Sequence, residues 1–237
     1  MSMYKWLSVL VFSIALLPIQ AQVAFRGGFS AGPSFILMEN DQKLTNGFFT
    51  STRAGVNAGI NLSMQAGEHF WSRIGVNYNR LNFSLKQNTS NDYRIDFRYG
   101  LNNLEIPLQI GVTGYLGSLK HREYLGVAFV NRLGRDLRTT ITGDSASVYA
   151  YATPESVVKS SYLAFVAGLE VGTEFKNDAG LFFGLSMRYN PETQYSSSFN
   201  TTVYGNQLAS TKGNYLMLEV TYYLPRFSYW FKRDFTY

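Results

Sequence analysis

Hydrophobic and polar residues alternate strictly along much of this chain. In residues 53–66 every second side chain from Ala54 onward is apolar, and the positions between them are polar or glycine. Successive side chains of a β-strand point to opposite faces, so this period of two predicts a strand whose faces meet different environments. Outside the apolar N-terminal stretch, no pattern with a helical period competes with it.

The same alternation recurs in seven other segments, which predicts an all-β fold with eight antiparallel strands. The eight segments are 23–31, 53–66, 73–79, 93–112, 125–129, 163–174, 181–187 and 216–224. The connections after the second, fourth and sixth segments are short, at 67–69, 118–122 and 176–180. Those after the first, fifth and seventh are longer and polar, at 39–50, 136–160 and 191–212; the connection after the third, at 87–92, is an exception in length. Short turns at one end and longer loops at the other are typical of a transmembrane β-barrel with short periplasmic turns and longer outer loops.

The apolar face of such a barrel could point either way. A soluble barrel would place around thirty bulky apolar groups inside an eight-stranded lumen, which has room for its side chains or one small ligand. We therefore expect the apolar face to contact outer-membrane lipid and the polar face to line the interior. That interior is predicted to hold a network of paired charges, because buried charges need partners. The network comprises Arg26, Arg53, Arg73, Glu105, Glu170, Glu174, Arg188 and Glu219.

Three places depart from a regular pattern. The apolar phase changes between Tyr78 and Leu81 and again across Asn102 and Asn103, which predicts bulges or strands that continue into an outer ribbon. Pro107 has no N–H to donate to a neighbouring strand, so a local irregularity is expected there.

Composition limits the location and the chemistry. Residues 1–21 have a charged start, an apolar stretch and a small residue before Gln22, which predicts a cleavable signal peptide, export and a bacterial outer-membrane location. The barrel is then expected at 22–224. The chain has no cysteine, so disulfides and thiolate metal sites are excluded. Its net charge of +5 comes from scattered basic residues, which argues against nucleic-acid binding.

Several short stretches resemble a Bacteroidota outer-membrane β-barrel family known as PorT-like or porin-like. They are Ala-Gln at 21–22, Leu-Glu-Ile-Pro-Leu at 104–108, Leu-Gly-Val at 125–127, Ala-Gly-Leu-Glu at 167–170 and Val-Thr-Tyr-Tyr-Leu at 220–224. The resemblance spans nearly the whole mature chain. It implies the barrel fold and the outer-membrane location, and, since the family is named after a secretion component, a role in type IX protein secretion.

The chain continues past its last predicted strand with an aromatic and basic tail at 225–237. Its aromatic residues are Phe227, Tyr229, Trp230, Phe231, Phe235 and Tyr237. One interpretation is a segment at the periplasmic membrane surface, with rings and cations among lipid headgroups. The other is a peptide that docks onto an outer-membrane or periplasmic protein.

Candidate catalytic chemistry is sparse. His69 and His121 are the two histidines of the chain, and both fall in predicted turns. No catalytic, cofactor-binding or metal-binding residues are predicted, and the expected function is a non-enzymatic scaffold or accessory component of an outer-membrane complex. Two alternatives remain open: a narrow channel for small solutes, and a barrel enzyme that modifies lipids through one of the histidines.

Overall fold

A computed structural model describes residues 23–37, 48–88, 93–143, 150–153, 160–192, 195–201 and 205–226. Within these residues the chain forms only β-strands and their connections. The strands are β1 (Val23–Leu37), β2 (Phe48–Ala66), β3 (Phe70–Asn88), β4 (Tyr93–Leu116), β5 (Leu119–Gly143), β6 (Ala150–Thr153), β7 (Ser161–Glu174), β8 (Gly180–Tyr189), β9 (Tyr195–Thr201), β10 (Gly205–Thr211) and β11 (Asn214–Tyr223).

Eight of these strands close into a barrel. Their order around the ring is β1, β11, β8, β7, β5, β4, β3 and β2, with antiparallel neighbours throughout. This confirms the predicted all-β fold with eight antiparallel strands. β6, β9 and β10 form a separate three-stranded sheet, which the sequence did not reveal because they lie in two connections that were predicted as polar loops.

The short turns lie at one end of the barrel, as predicted. Gly67 and Gly117 occupy the turns after β2 and β4 with φ of 66° and 61°, a conformation that favours glycine. At the same end, the backbone N–H of Leu224 donates a hydrogen bond of 2.8 Å to the carbonyl of Gly27. The predicted signal peptide and the aromatic residues of the predicted tail lie outside the described residues.

The two faces of the wall differ sharply. Outward positions carry exposed apolar side chains such as Ile60, Ile110 and Phe183, each about three-fifths exposed (59%, 62% and 61%). Inward positions carry buried polar and charged side chains. No helix in the described ranges is long and apolar enough to cross a membrane.

Strands β2 to β5 continue past the rest of the ring as a four-stranded outer ribbon. β5 pairs with β7 only as far as Asn131, whereas its pairing with β4 continues to Gly143. On β3, Leu81, Phe83 and Leu85 occupy the same buried face as the polar lumen residues that precede them. β3 is therefore continuous near Tyr78, and the apparent change of phase arises because its inner face changes from polar to apolar residues. This agrees with the prediction that the strand continues into an outer ribbon.

Register shifts occur at two places. One lies opposite Asn102 and Asn103, where an irregularity was predicted, but the extra residue is Leu133 of β5. β4 itself keeps its phase there, because its odd-numbered residues stay buried from Phe97 to Gln109, so its apparent change of phase is a change in the composition of the inner face. The other lies on β2, between Arg53 and Val56. Around Pro107 the β3–β4 ladder has no paired residues between Ile74↔Leu108 and Asn77↔Glu105, which matches the irregularity expected for proline.

Candidate functional site in the barrel lumen

The lumen is crossed by three groups of charged side chains, each centred on a glutamate. Glu174 lies at the end of β7, near the short turns. It contacts Arg26 at 2.6 Å and Arg226 at 3.1 Å, and it accepts a further hydrogen bond from Lys120. One carboxylate thus holds together β1, β5, β7 and the segment that follows β11.

Glu170 is the centre of the second group, four residues further along β7 into the barrel. Its carboxylate is 1% exposed, pairs with the buried Arg73 and lies 3.8 Å from Arg122. The hydroxyl of Tyr223 donates to it at 3.2 Å, and Arg73 also donates to Gln109 at 2.5 Å. Residues from β3, β4, β5, β7 and β11 therefore meet at one level of the lumen.

Glu105 is the centre of the third group, nearer the outer ribbon. It accepts hydrogen bonds from Asn79 at 2.7 Å, from Arg188 at 3.4 Å and from the hydroxyl of Tyr215. Glu219, on the neighbouring part of β11, accepts a hydrogen bond from Ser186 at 3.4 Å. Glu105 is fully buried on β4, and its partners come from β3, β8 and β11. This group therefore links opposite sides of the wall.

Aromatic rings fill the space beside these charges. The Arg122 guanidinium lies 4.3 Å from the ring centroid of Phe182, 4.8 Å from that of Tyr223 and 5.4 Å from that of Trp71. A cation over a ring face is attracted by the ring's electron density, which compensates for part of the lost hydration of Arg122. Trp71 also meets Tyr124 edge to face at 5.6 Å.

A glycine in the wall makes room for one of these rings. A Cβ on Gly168 would lie 2.6 Å from both the Cζ and the hydroxyl oxygen of Tyr124, closer than side-chain carbons approach. The ring of Tyr124 therefore lies directly against the backbone of β7. Rings and charged groups together form a plug across the lumen, which we call the luminal plug.

The structure brings together seven of the eight charged residues predicted for the interior. The seven in the plug are Arg26, Arg73, Glu105, Glu170, Glu174, Arg188 and Glu219. Arg53 is the exception: it is exposed on the outside of the outer ribbon. The extra residue on β2 between Arg53 and Val56 shifts the alternation by one position, so Arg53 points away from the lumen.

Several plug residues were missed from the sequence. Lys120, Arg122 and Arg226 were assigned to a turn or to the tail, whereas Lys120 and Arg122 lie in β5. Both share the even-numbered positions of Tyr124 and Ala128, which are buried. Extending the period of two backward from Leu125 would have placed them inside the barrel.

The two histidines lie apart from the plug. The Nδ1 atom of His69 is 3.3 Å from the carbonyl oxygen of Thr113, and the ring of His121 lies over Gly114. Among the described residues, neither ring contacts a serine hydroxyl or a carboxylate. No group of three potential metal ligands from His, Cys, Asp and Glu occurs in the part of the chain that the structure describes.

These features define a class of protein: a closed eight-stranded antiparallel β-barrel with an apolar exterior and a lumen filled by charged and aromatic side chains. No family model and no curated protein matches the chain. Solved structures similar to it include the outer membrane protein OprG from Pseudomonas aeruginosa, with 12% identity, a TM-score of 0.48 and coverage of 86% of this chain and 96% of that one.

Two further solved structures are similar to this chain at lower TM-scores. Ail, the attachment invasion locus protein of Yersinia pestis, in complex with the heparin analogue sucrose octasulfate, has 12% identity and a TM-score of 0.36, covering 86% of this chain and 99% of that one. The translocator domain of the autotransporter NalP from Neisseria meningitidis has 11% identity and a TM-score of 0.30, covering 93% and 94%.

Proposed function

We propose that this chain is a bacterial outer-membrane β-barrel that acts as a non-enzymatic scaffold, with a closed lumen and with the outer ribbon as its exposed part. The observation that carries this proposal is the luminal plug, whose three carboxylate-centred groups tie opposite walls together. A rigid barrel of this kind supplies a fixed anchor for binding surfaces at its ends.

The exterior supports the membrane location. Outward side chains such as Leu108, Val127 and Leu218 are between 40% and 53% exposed and belong to a continuous apolar surface around the ring. A water-soluble protein rarely exposes so large an apolar area, whereas hydrocarbon contact stabilises it. The wall also leaves no free edge between neighbouring strands, which satisfies the backbone hydrogen bonds that lipid cannot provide.

The finer proposal is an accessory role in type IX protein secretion, which rests on the resemblance to the PorT-like family. The scaffold would then hold an outer-membrane or periplasmic protein near the aromatic residues at 227–237. Arg226, the last described residue, is bound to Glu174 of the plug, so the chain leaves the barrel from a fixed point.

Two measurements test the scaffold function. Purified protein in planar bilayers is expected to show no steady ion conductance, and stable channels in the wild-type protein would refute the closed lumen. Affinity purification from outer membranes should recover a protein partner, and truncation after Arg226 should reduce that recovery while leaving the plug intact. A barrel that recovers no partner in either form would contradict the scaffold function.

A further inference from the structure

The outside of the outer ribbon carries a cluster of arginines. Arg53 comes from β2, Arg80 from β3, Arg98 from β4 and Arg138 from β5, and together they line a depression of about 390 Å³. We call these four residues the arginine cluster. Its acidic neighbours on the same face are Asp96 and Asp136, so the described side chains of this surface carry an excess of positive charge.

The strand register explains why the arginines converge. Asn82 of β3 is paired with Arg53 on one side and with Gly100 on the other, and Gly100 is paired with Asp136. One row across the ribbon therefore runs from Arg53 to Asp136. In the next row Arg98 is the direct partner of Arg138.

Gly100 forms the floor of the depression. A Cβ at this position would lie 2.9 Å from the Nη2 atom of Arg80, whose guanidinium extends across the glycine to Asp136 at 2.8 Å. The guanidinium of Arg80 therefore covers Gly100 and occupies the space directly above it. A ligand group in the depression would contact Arg80 and the other three arginines that line it, and not the backbone of Gly100.

The aspartates neutralise only part of the positive charge of the arginine cluster. Arg80 pairs with Asp136, and Arg98 pairs with Asp96 at 3.0 Å. Within the described part of the chain, Arg53 and Arg138 form no ion pair. Arg98 is paired with Asp96 but directly opposes Arg138, and like charges on opposed strand residues repel, so an anion bound beside Arg138 would relieve this repulsion. Planar guanidinium groups bind phosphate, as they bind carboxylate, through paired N–H donors, so a phosphate group fits this site.

The position of the cluster indicates where that phosphate comes from. Tyr78 and Arg80 lie two residues apart on the outward face of β3, a separation of about 7 Å along a strand. Tyr78 belongs to the exposed apolar surface, as does Val56 on β2 next to the bulge. The arginine cluster therefore begins where the apolar surface ends, at the level expected for lipid headgroups on the side of the membrane opposite the short turns.

We propose that the arginine cluster binds the phosphate groups of an anionic glycolipid in the outer leaflet. This inference rests on the proposed outer-membrane location and deepens the proposed function. A lipid anchored to the ribbon would fix the height of the barrel in the membrane and hold the outer ribbon at a defined orientation to the surface.

The test uses the full chain, folded in detergent micelles, with diphosphorylated lipid A as the probe. Native mass spectrometry measures how much lipid A each variant retains. The test variant is Arg53→Gln with Arg138→Gln. Since each basic residue near an anionic lipid surface contributes about 1 kcal/mol, losing both should weaken binding about 30-fold.

The matched control is Arg135→Gln with Lys176→Gln, which removes the same charge from two exposed residues elsewhere. Arg135 neighbours Asp136 but belongs to the other face of β5, and Lys176 lies in a short turn. The control is expected to bind within about threefold of the wild-type protein, because neither residue faces the proposed site and the attraction to an anionic lipid falls off with distance. The heat-dependent mobility shift in electrophoresis verifies that every variant is folded.

The lipid probe is compared with lipid A that lacks both phosphates and is challenged with inorganic phosphate. Retention that requires the lipid phosphates and resists equimolar inorganic phosphate supports the proposal. Equal binding by the test and control variants would overturn it, as would equal retention of the dephosphorylated lipid or displacement by equimolar inorganic phosphate. Insertion into lipid vesicles is measured separately, so a failure of the membrane location is distinguishable from a failure of this site.

Discussion

Replacing Glu170 by glutamine removes the negative charge at the centre of the luminal plug and keeps the shape of the side chain. Two buried cations face that carboxylate: Arg73 is directly bonded to it and Arg122 lies 3.8 Å away. With side-chain exposures of 6% for Arg73 and 3% for Arg122, water cannot replace the lost charge.

The expected cost follows from that geometry. Removing one partner of a buried ion pair leaves an uncompensated charge and costs about 3 to 5 kcal/mol. The hydroxyl of Tyr223, which donates to Glu170 at 3.2 Å, can still donate to the glutamine oxygen. The cation–ring contacts of Arg122 also remain. We therefore expect a loss at the lower end, about 3 kcal/mol in the free energy of unfolding.

Urea titration of the protein refolded into lipid vesicles measures this loss. Glu123→Gln is the matched control, because Glu123 is exposed on the outer face of β5 opposite Leu169 and loses the same charge. The control should stay within about 0.5 kcal/mol of the wild-type protein. If Glu170→Gln also stayed within that margin, the charges of the plug would not depend on one another for stability.

Further predictions concern the wall and its glycines. Leu108→Arg, near the middle of the apolar surface on β4, should destabilise the barrel in vesicles by about 2 to 4 kcal/mol, and Leu116→Arg, beside a short turn, by at most about 1 kcal/mol; equal losses would contradict a lipid-facing wall. Gly168→Ala should cost about 1 to 3 kcal/mol in the same urea titration, because its Cβ would meet the ring of Tyr124. Gly134→Ala, whose Cβ would have one neighbour at 4.0 Å, is the control, and a similar loss in both would refute the close contact.

The period of two in the sequence predicted the ring of strands because each barrel residue meets either lipid or the lumen. The polarity of each residue reflects its own environment, so the eight segments could be found from the sequence without knowing which strands pair with each other. It also placed residues such as Arg73 and Glu170 on one face of the wall, although not in contact with each other. Their pairing depends on strand register, which is set by the whole ring.

Arg53 shows where a local pattern misleads. The alternation in residues 53–66 continues without a break in the sequence, but the structure inserts an extra residue between Arg53 and Val56. This bulge depends on how β2 pairs with β3, so the sequence of β2 alone does not predict it. The same limit applies to β6, β9 and β10, which are only four or seven residues long and too short to show a sustained alternation.

Site-directed spin labelling of the protein in lipid bilayers tests most directly whether the apolar face of the wall contacts lipid. The chain has no cysteine, so single cysteines introduced along β4 give labels without background. Labels at the outward positions 106, 108, 110 and 112 should be accessible to oxygen dissolved in the lipid, and those at the inward positions 105, 107, 109 and 113 should be protected from it. Oxygen accessibility that alternates with a period of two along β4 would support an apolar wall in lipid around a filled lumen. Uniform accessibility to a water-soluble reagent at the outward positions would contradict it.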